Sequence, residues 1–97
     1  AKNLTLINCT IESLQGMCYI ENLVMKNCKL LNTNLAFEYS TVDAEITSDI
    51  VSVLNPTSGI IRAASIGELI MDKEKIDPSK TEIVCEKIGK VSDHLMV

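Results

Sequence analysis

Two consecutive segments of the chain repeat each other without a gap. Residues 3–21 read NLTLINCTIESLQGMCYIE, and residues 22–40 read NLVMKNCKLLNTNLAFEYS. The pair Asn8-Cys9 in the first segment aligns with Asn27-Cys28 in the second, nineteen residues later. A repeat this short has room for short strands and tight turns, whereas helical repeats need about thirty residues or more. The repeat therefore predicts a solenoid of β coils.

Apolar residues alternate with other residues inside the repeats, as in Leu4-x-Leu6 and Val42-x-Ala44-x-Ile46. This alternation has the period of two that is typical of a strand with one buried face. Short strands separated by Asn, Gly, Ser and Thr are consistent with coils whose side chains alternate between core and solvent.

Two further units continue the repeat with lower fidelity, TVDAEITSDIVSVLNPTS from Thr41 and the shorter GIIRAASIGELIMD from Gly59. Drift of this kind is expected where a solenoid approaches its cap. We therefore predict an all-β fold, a single-stranded right-handed parallel β-helix of about four to five coils. We expect these coils to form the C-terminal end of a longer solenoid.

Residues one period apart should lie about 4.8 Å apart on neighbouring coils. Asn8 above Asn27 would form an asparagine ladder, because asparagine tolerates the left-handed conformation of a tight bend. Cys9 and Cys28 would stack beside it as small buried groups. Turns are predicted near Asn8, Ser13 to Gly16, Glu21-Asn22, Asn27 and Asn32 to Asn34.

The motif N-L-x-x-x-N-C at residues 22–28, followed by A-F-x-Y-S at residues 36–40, resembles the C-terminal part of an uncharacterised bacterial family, domain-of-unknown-function family 3737. The resemblance extends over residues 3–86. It implies coils like those of pectate-lyase-type right-handed β-helices, with further coils before residue 3. It implies no catalytic residue, because the family has no established activity.

The C-terminal stretch is polar after Met71, and Pro78 interrupts any continuing strand. We predict a last strand at residues 81–86, so that the β-helix coils occupy residues 1–86 and a flexible or helical tail or cap occupies residues 87–97. A helix is the competing interpretation, because Val84, Ile88, Val91 and Leu95 recur at helical spacing. Gly89 disfavours it, at a cost of about 1 kcal/mol relative to alanine.

The net charge is −4 and the basic residues are scattered along the chain, which disfavours nucleic acid and anionic membranes as partners. No apolar run reaches the roughly 18 residues of a membrane span. None of the four cysteines forms a C-x-x-C pair or has zinc-site spacing to the single histidine, His94, which we interpret as a solvated tail residue. We expect free thiols, a cytoplasmic location and no cofactor.

Acidic residues at alternate positions are the first candidate site. Asp43 and Glu45 should project from the outer face with Asp49 nearby, and two carboxylates are the minimum for acid and base work on a glycosidic bond. The repeat places Lys26 near Glu45 on one side and Arg62 on the other. An outward ladder of ion pairs explains the same residues, and it is the favoured interpretation.

Tyr19 and Glu38 are the second candidate site, for binding. They occupy equivalent positions in the two repeats and should lie outside, if Cys18, Ile20, Phe37 and Tyr39 face inward. A stacked surface of this kind can hold a sugar ring through apolar contact and a hydroxyl acceptor. Ordinary surface is the alternative, since only 3% of the residues are aromatic.

Two functions are compatible with this sequence. One is a non-catalytic scaffold or binding module that recognises a carbohydrate or a protein. The other is a carbohydrate-active enzyme, a lyase or hydrolase, whose catalytic residues lie largely in other coils. An uncovered first coil would expose Leu4 and Leu6, so we also expect homo-oligomers through exposed coil ends.

Overall fold

A computed structural model describes residues 2–12 and 18–92, and every strand pairing within them is parallel. The predicted β-helix is confirmed as an all-β parallel solenoid of about four turns. In this part of the chain the only helical element is a 3₁₀ turn, Pro78–Lys80, and no helix is long and apolar enough to cross a membrane. The strands are β1 (Thr5–Ile7), β2 (Thr10–Glu12), β3 (Leu23–Leu31), β4 (Thr41–Ile46), β5 (Asp49–Leu54), β6 (Ser58–Ile70) and β7 (Thr81–Ser92).

Two long strands hold the coils together. β3 pairs with β1 and β2 on one side and with β4 on the other, while β6 pairs with β4 and β5 on one side and with β7 on the other. The registers align Leu6, Met25, Ala44, Ile61 and Ile83 in one column that runs through all the coils. The three central members are fully buried, so this column forms part of the hydrophobic core.

The spacing between stacked residues changes along the solenoid. Leu6 and Met25 are nineteen residues apart, Val42 and Gly59 are seventeen apart, and Gly59 and Thr81 are twenty-two apart. Gly59 has a φ of +115°, and a Cβ on it would overlap the carbonyl oxygen of Val42. Glycine is therefore required where the shortened third coil meets the fourth.

Asparagine forms the corners of the first two coils. Asn3, Asn8, Asn22 and Asn27 all have φ values between 51° and 60°, in the left-handed region that asparagine tolerates better than most residues. The side-chain amide of Asn27 donates a hydrogen bond to Oδ1 of Asn8 at 2.8 Å, and that of Asn22 donates to Oδ1 of Asn3 at 2.9 Å. The turn predicted at residues 13–16 lies outside the described residues.

Hydroxyl groups replace the backbone hydrogen bonds that the corners interrupt. At each of four places a Ser or Thr oxygen on one coil accepts a backbone N–H from the preceding coil. The pairs are Ile20 with Ser40 (3.1 Å), Asn22 with Thr41 (2.7 Å), Leu30 with Ser48 (3.0 Å) and Leu35 with Ser52 (2.7 Å). These bonds allow Ser40 and Ser52 to be buried, because a buried polar group requires a hydrogen-bond partner.

The last strand is longer than the sequence predicts. β7 continues past Glu86 to Ser92, so residues 87–92 are strand, and the helical alternative is wrong over this range. Ile88 stacks on Ile66 and Val91 stacks on Leu69, which explains the spacing that resembled a helix. Leu95, with the rest of residues 93–97, lies outside the described residues.

Candidate functional site

The three candidate catalytic carboxylates each contact a neighbouring coil. Asp43 Oδ1 lies 3.6 Å from Nη1 of Arg62. Glu45 Oε1 accepts a hydrogen bond from the backbone amide of Asn27 at 3.3 Å. Asp49 Oδ1 accepts one from the hydroxyl of Ser65 at 2.7 Å. Each of these side chains therefore bridges two coils.

The two basic candidates are placed differently from each other. Arg62 is the direct neighbour of Glu45 across the sheet, in agreement with the repeat, but its guanidinium pairs diagonally with Asp43. Lys26 is exposed and lies where the register between β3 and β4 shifts. Within the described residues no ion pair joins Lys26 and Glu45. The carboxylate of Glu45 instead accepts the hydrogen bond from the Asn27 amide.

The tyrosine site differs from its prediction by one residue. The repeat places Tyr19 opposite Glu38 and Ile20 opposite Tyr39. The backbone amide of Tyr19 instead donates to the carbonyl of Glu38 at 2.8 Å, and the carbonyl of Ile20 accepts from Thr41 at 3.0 Å. This parallel register stacks Tyr19 on Tyr39, with ring centroids 5.7 Å apart and planes tilted by 32°. The spacing at this corner is therefore twenty residues.

We name Tyr19, Glu38 and Tyr39 the tyrosine ledge. Tyr19 is 60% exposed, whereas Tyr39 and Glu38 are partly buried. The negative charge of Glu38 raises the pKa of the Tyr19 phenol above its ordinary value of 10.0. The ledge therefore presents a neutral phenol beside a carboxylate, both close to an aromatic surface.

A surface depression of about 540 Å³ lies next to the tyrosine ledge. Besides the two tyrosines, its lining consists of Lys2, Ile20, Glu21, Thr41 and Thr57. Lys2 Nζ lies 3.7 Å from Oε2 of Glu21, so this pair largely balances its own charge. The depression thus combines apolar rings with hydroxyl, carboxylate and ammonium groups.

The backbone at the tyrosine ledge adopts an unusual conformation. Tyr19, Phe37 and Tyr39 have φ values of 54°, 67° and 48°. The left-handed region costs a non-glycine residue about 1–2 kcal/mol, and bulky residues adopt it rarely. Such outliers often occur at functional sites, and here they involve three aromatic residues.

The cysteine side chains are free thiols within the coils. Cys9 and Cys28 lie on adjacent coils, because the carbonyl of Cys9 accepts the amide of Lys29 at 2.9 Å. Cys28 is buried, while Cys9, on the first coil, is only partly so. All four cysteines are free, and within residues 2–12 and 18–92 no cluster of three metal-ligating side chains occurs. His94 lies outside the described residues.

Of the residues around the ledge, sequence reasoning identified Tyr19 and Glu38 but missed Tyr39, Thr41 and Thr57. Tyr39 was predicted to face inward, and it does pack against the core, but its ring also contacts that of Tyr19, which a strict period of nineteen does not predict. The motif A-F-x-Y-S could have indicated the role of Tyr39. It places two aromatic residues, Phe37 and Tyr39, two positions apart and next to a serine that can bridge coils.

Comparisons with known proteins identify the family of this chain. A family model described as "Protein of unknown function (DUF3737)" matches residues 1–84. No curated protein and no solved structure matches the chain. The family match covers the asparagine corners, the tyrosine ledge and the strands up to the first part of β7. The chain therefore belongs to the DUF3737 family.

Proposed function

We propose that the chain is a non-catalytic β-solenoid module that holds a neutral carbohydrate on the tyrosine ledge. The observation that carries this proposal is the stacked pair Tyr19 and Tyr39 beside a polar depression. Sugar rings have an apolar C–H face and a rim of hydroxyl groups. Aromatic rings with a polar edge are suited to the apolar face of the sugar, and Glu38, Glu21 and Thr41 can form hydrogen bonds with its hydroxyl groups.

The charges around the tyrosine ledge favour a neutral ligand. Glu38 carries a negative charge beside Tyr19, and Glu21 is paired with Lys2. The net charge at the ledge is therefore negative, and an acidic polysaccharide would be repelled. A neutral hexose polymer is the ligand class that fits best.

The contacts of the carboxylates support a scaffold role. Asp43, Glu45 and Asp49 each bond to another coil. A glycosidase needs two carboxyl groups that flank one bond, with one of them free to donate a proton.

Within this proposal the coils resemble pectate-lyase-type β-helices in architecture, and their asparagine pairs extend as a ladder into further coils. The free thiols fit a reducing cytoplasm.

A glycan array tests the proposal, followed by calorimetric titration of any glycan that is retained. We expect binding of a neutral glycan without turnover, and Tyr19→Ala should weaken it about tenfold or more. Val51→Ala is the matched control, because Val51, on β5, is also an exposed side chain with a large apolar part. This control variant should bind like the unmodified chain.

Two results would contradict the proposal. If no glycan is retained, or if binding survives Tyr19→Ala, the tyrosine ledge is not a carbohydrate site. Turnover of a glycan that disappears in an Asp43→Asn, Glu45→Gln double variant would instead favour the carbohydrate-active enzyme.

A further inference from the structure

The outer edge of β7 is an unusually long open strand edge. β7 runs from Thr81 to Ser92 and pairs with β6 through one edge. Within residues 2–12 and 18–92 no strand pairs with its other edge. An open edge presents a row of backbone donors and acceptors that can pair with another strand.

Apolar side chains accompany this open edge. Val84, Ile88 and Val91 are 48%, 36% and 67% exposed. Ile88 and Val91 stack on the buried Ile66 and Leu69 of the preceding coil, so they continue these columns of core residues onto β7. Covering them would remove apolar surface from water.

The charges of β7 are divided between its two halves. Glu82 and Glu86 lie in the first half, and Lys87 and Lys90 lie in the second. In a parallel pair of two such strands, like charges would face each other. In an antiparallel pair, the acidic half of each strand faces the basic half of the other. Charged residues usually protect an edge strand, but this order protects it only against parallel pairing.

From this complementarity we infer that β7 is a dimerisation edge, on which a second copy of this chain docks its own β7 in antiparallel orientation. The two-fold axis crosses β7 near Glu86 and Lys87. Such an interface is isologous and closed, so it produces a dimer and no longer assembly. The first coil has no equivalent pattern of acidic and basic halves, since β1 and β2 carry a single charged residue, Glu12.

A charge-swap experiment tests this inference, with mass measured by sedimentation and light scattering over a range of concentrations. The unmodified chain should dimerise. A Glu82→Lys, Glu86→Lys variant and a Lys87→Glu, Lys90→Glu variant should each dissociate at least tenfold more readily, because like charges then face each other. An equimolar mixture of the two variants should restore the dimer.

The control is Lys73→Glu, Lys75→Glu, which reverses two exposed lysines in the loop before Pro78 and should leave the dimer intact. Circular dichroism checks that every variant is folded. Because Lys90 also lies 3.8 Å from Glu68 on the preceding coil, Val91→Glu provides a second variant that weakens the edge without breaking that pair.

A monomer at every concentration would overturn the inference, because the outer edge of β7 would then be covered by the chain itself or protected against pairing with another strand. Assemblies that lengthen with concentration would also overturn it, since they indicate head-to-tail stacking of β7 on the first coil. Failure of the mixture to restore the dimer would exclude the antiparallel arrangement.

Discussion

The first two coils and the later coils use different residues where neighbouring backbones meet. In the first two, asparagines nineteen residues apart adopt the left-handed conformation and bond to each other through their side chains. In the later coils glycines lie where backbones approach closely. A Cβ on Gly89 would lie 2.6 Å from the carbonyl oxygen of Gly67, and one on Gly59 would overlap Val42.

This difference separates two roles that a residue can have where neighbouring coils meet. Asparagine tolerates the conformation and adds a hydrogen bond between coils, so identical residues must repeat at a fixed spacing. Glycine supplies only conformation and space, so neighbouring coils are free to differ in length. The two bonded asparagine pairs are both nineteen residues apart, whereas Val42 and Gly59 are seventeen apart and Gly59 and Thr81 are twenty-two apart.

The largest effect is expected at Gly59. Gly59→Ala should destabilise the fold by at least about 3 kcal/mol, because the new Cβ meets the backbone of β4 and the φ is unfavourable for alanine. Urea denaturation measures the loss. Ala64→Ser, at an exposed position of the same strand, is the control. A loss below about 1 kcal/mol would show that this coil boundary adapts.

A paired substitution at Asn27 separates conformation from hydrogen bonding. Asn27→Ala should cost about 2 kcal/mol, because alanine lacks the bond to Asn8 and is strained at a φ of 51°. Asn27→Gly should cost only about 0.5–1 kcal/mol, since glycine accepts the conformation. Equal losses in urea denaturation would mean that the side-chain bond dominates the asparagine corner.

Asp43→Asn should have a small effect, about 0.5 kcal/mol or less, because its ion pair with Arg62 is exposed and screened by solvent. Lys75→Gln, in the loop before Pro78, is a control with no expected effect. The loss should shrink further in high salt. A loss above about 2 kcal/mol would indicate that Asp43 is essential to the coil.

The most subtle effect concerns the phenol of Tyr19, at the corner that departs from the regular spacing. Glu38→Gln should lower the pKa of Tyr19, because it removes the charge that raises it. Since the pKa of Tyr19 is raised in the folded protein, the contribution of its protonated phenol to folding stability is fully present below pH 10.0. This contribution is lost as the pH rises above that value. Tyrosinate absorbance in a Tyr39→Phe background isolates this group. An unchanged titration would contradict the geometry of the ledge.

The sequence predicted the architecture well wherever one coil repeats the next. The alternation in β4 and the pair Asn8-Cys9 with its copy at residues 27–28 were enough to identify parallel coils. The end of the last strand was missed because the repeat changes length there. Residues 66–69 read IGEL and residues 88–91 read IGKV, twenty-two residues later, and this similarity was the signal for the longer β7.

The candidate sites could be predicted less well. Which side chains lie on the outer face follows from alternation, so Asp43 and Glu45 were placed there. Which atoms they contact depends on local register shifts, such as the one between Met25 and Cys28 that brings the Asn27 amide to Glu45. Tyr39 faces Tyr19 because one additional residue enters the corner, and a fixed period cannot reveal such an insertion.

Paired residues on adjacent coils are separated by sixteen residues between Asp49 and Ser65 and by twenty-two between Gly59 and Thr81. Each new coil therefore closes a loop of similar size on the coil before it, and the entropy of loop closure grows only with the logarithm of that size. The entropic barrier to adding a coil should then be nearly the same for the fourth coil as for a tenth. Solenoids of this kind can lengthen during evolution without becoming progressively slower to fold, provided that a first pair of coils nucleates the stack.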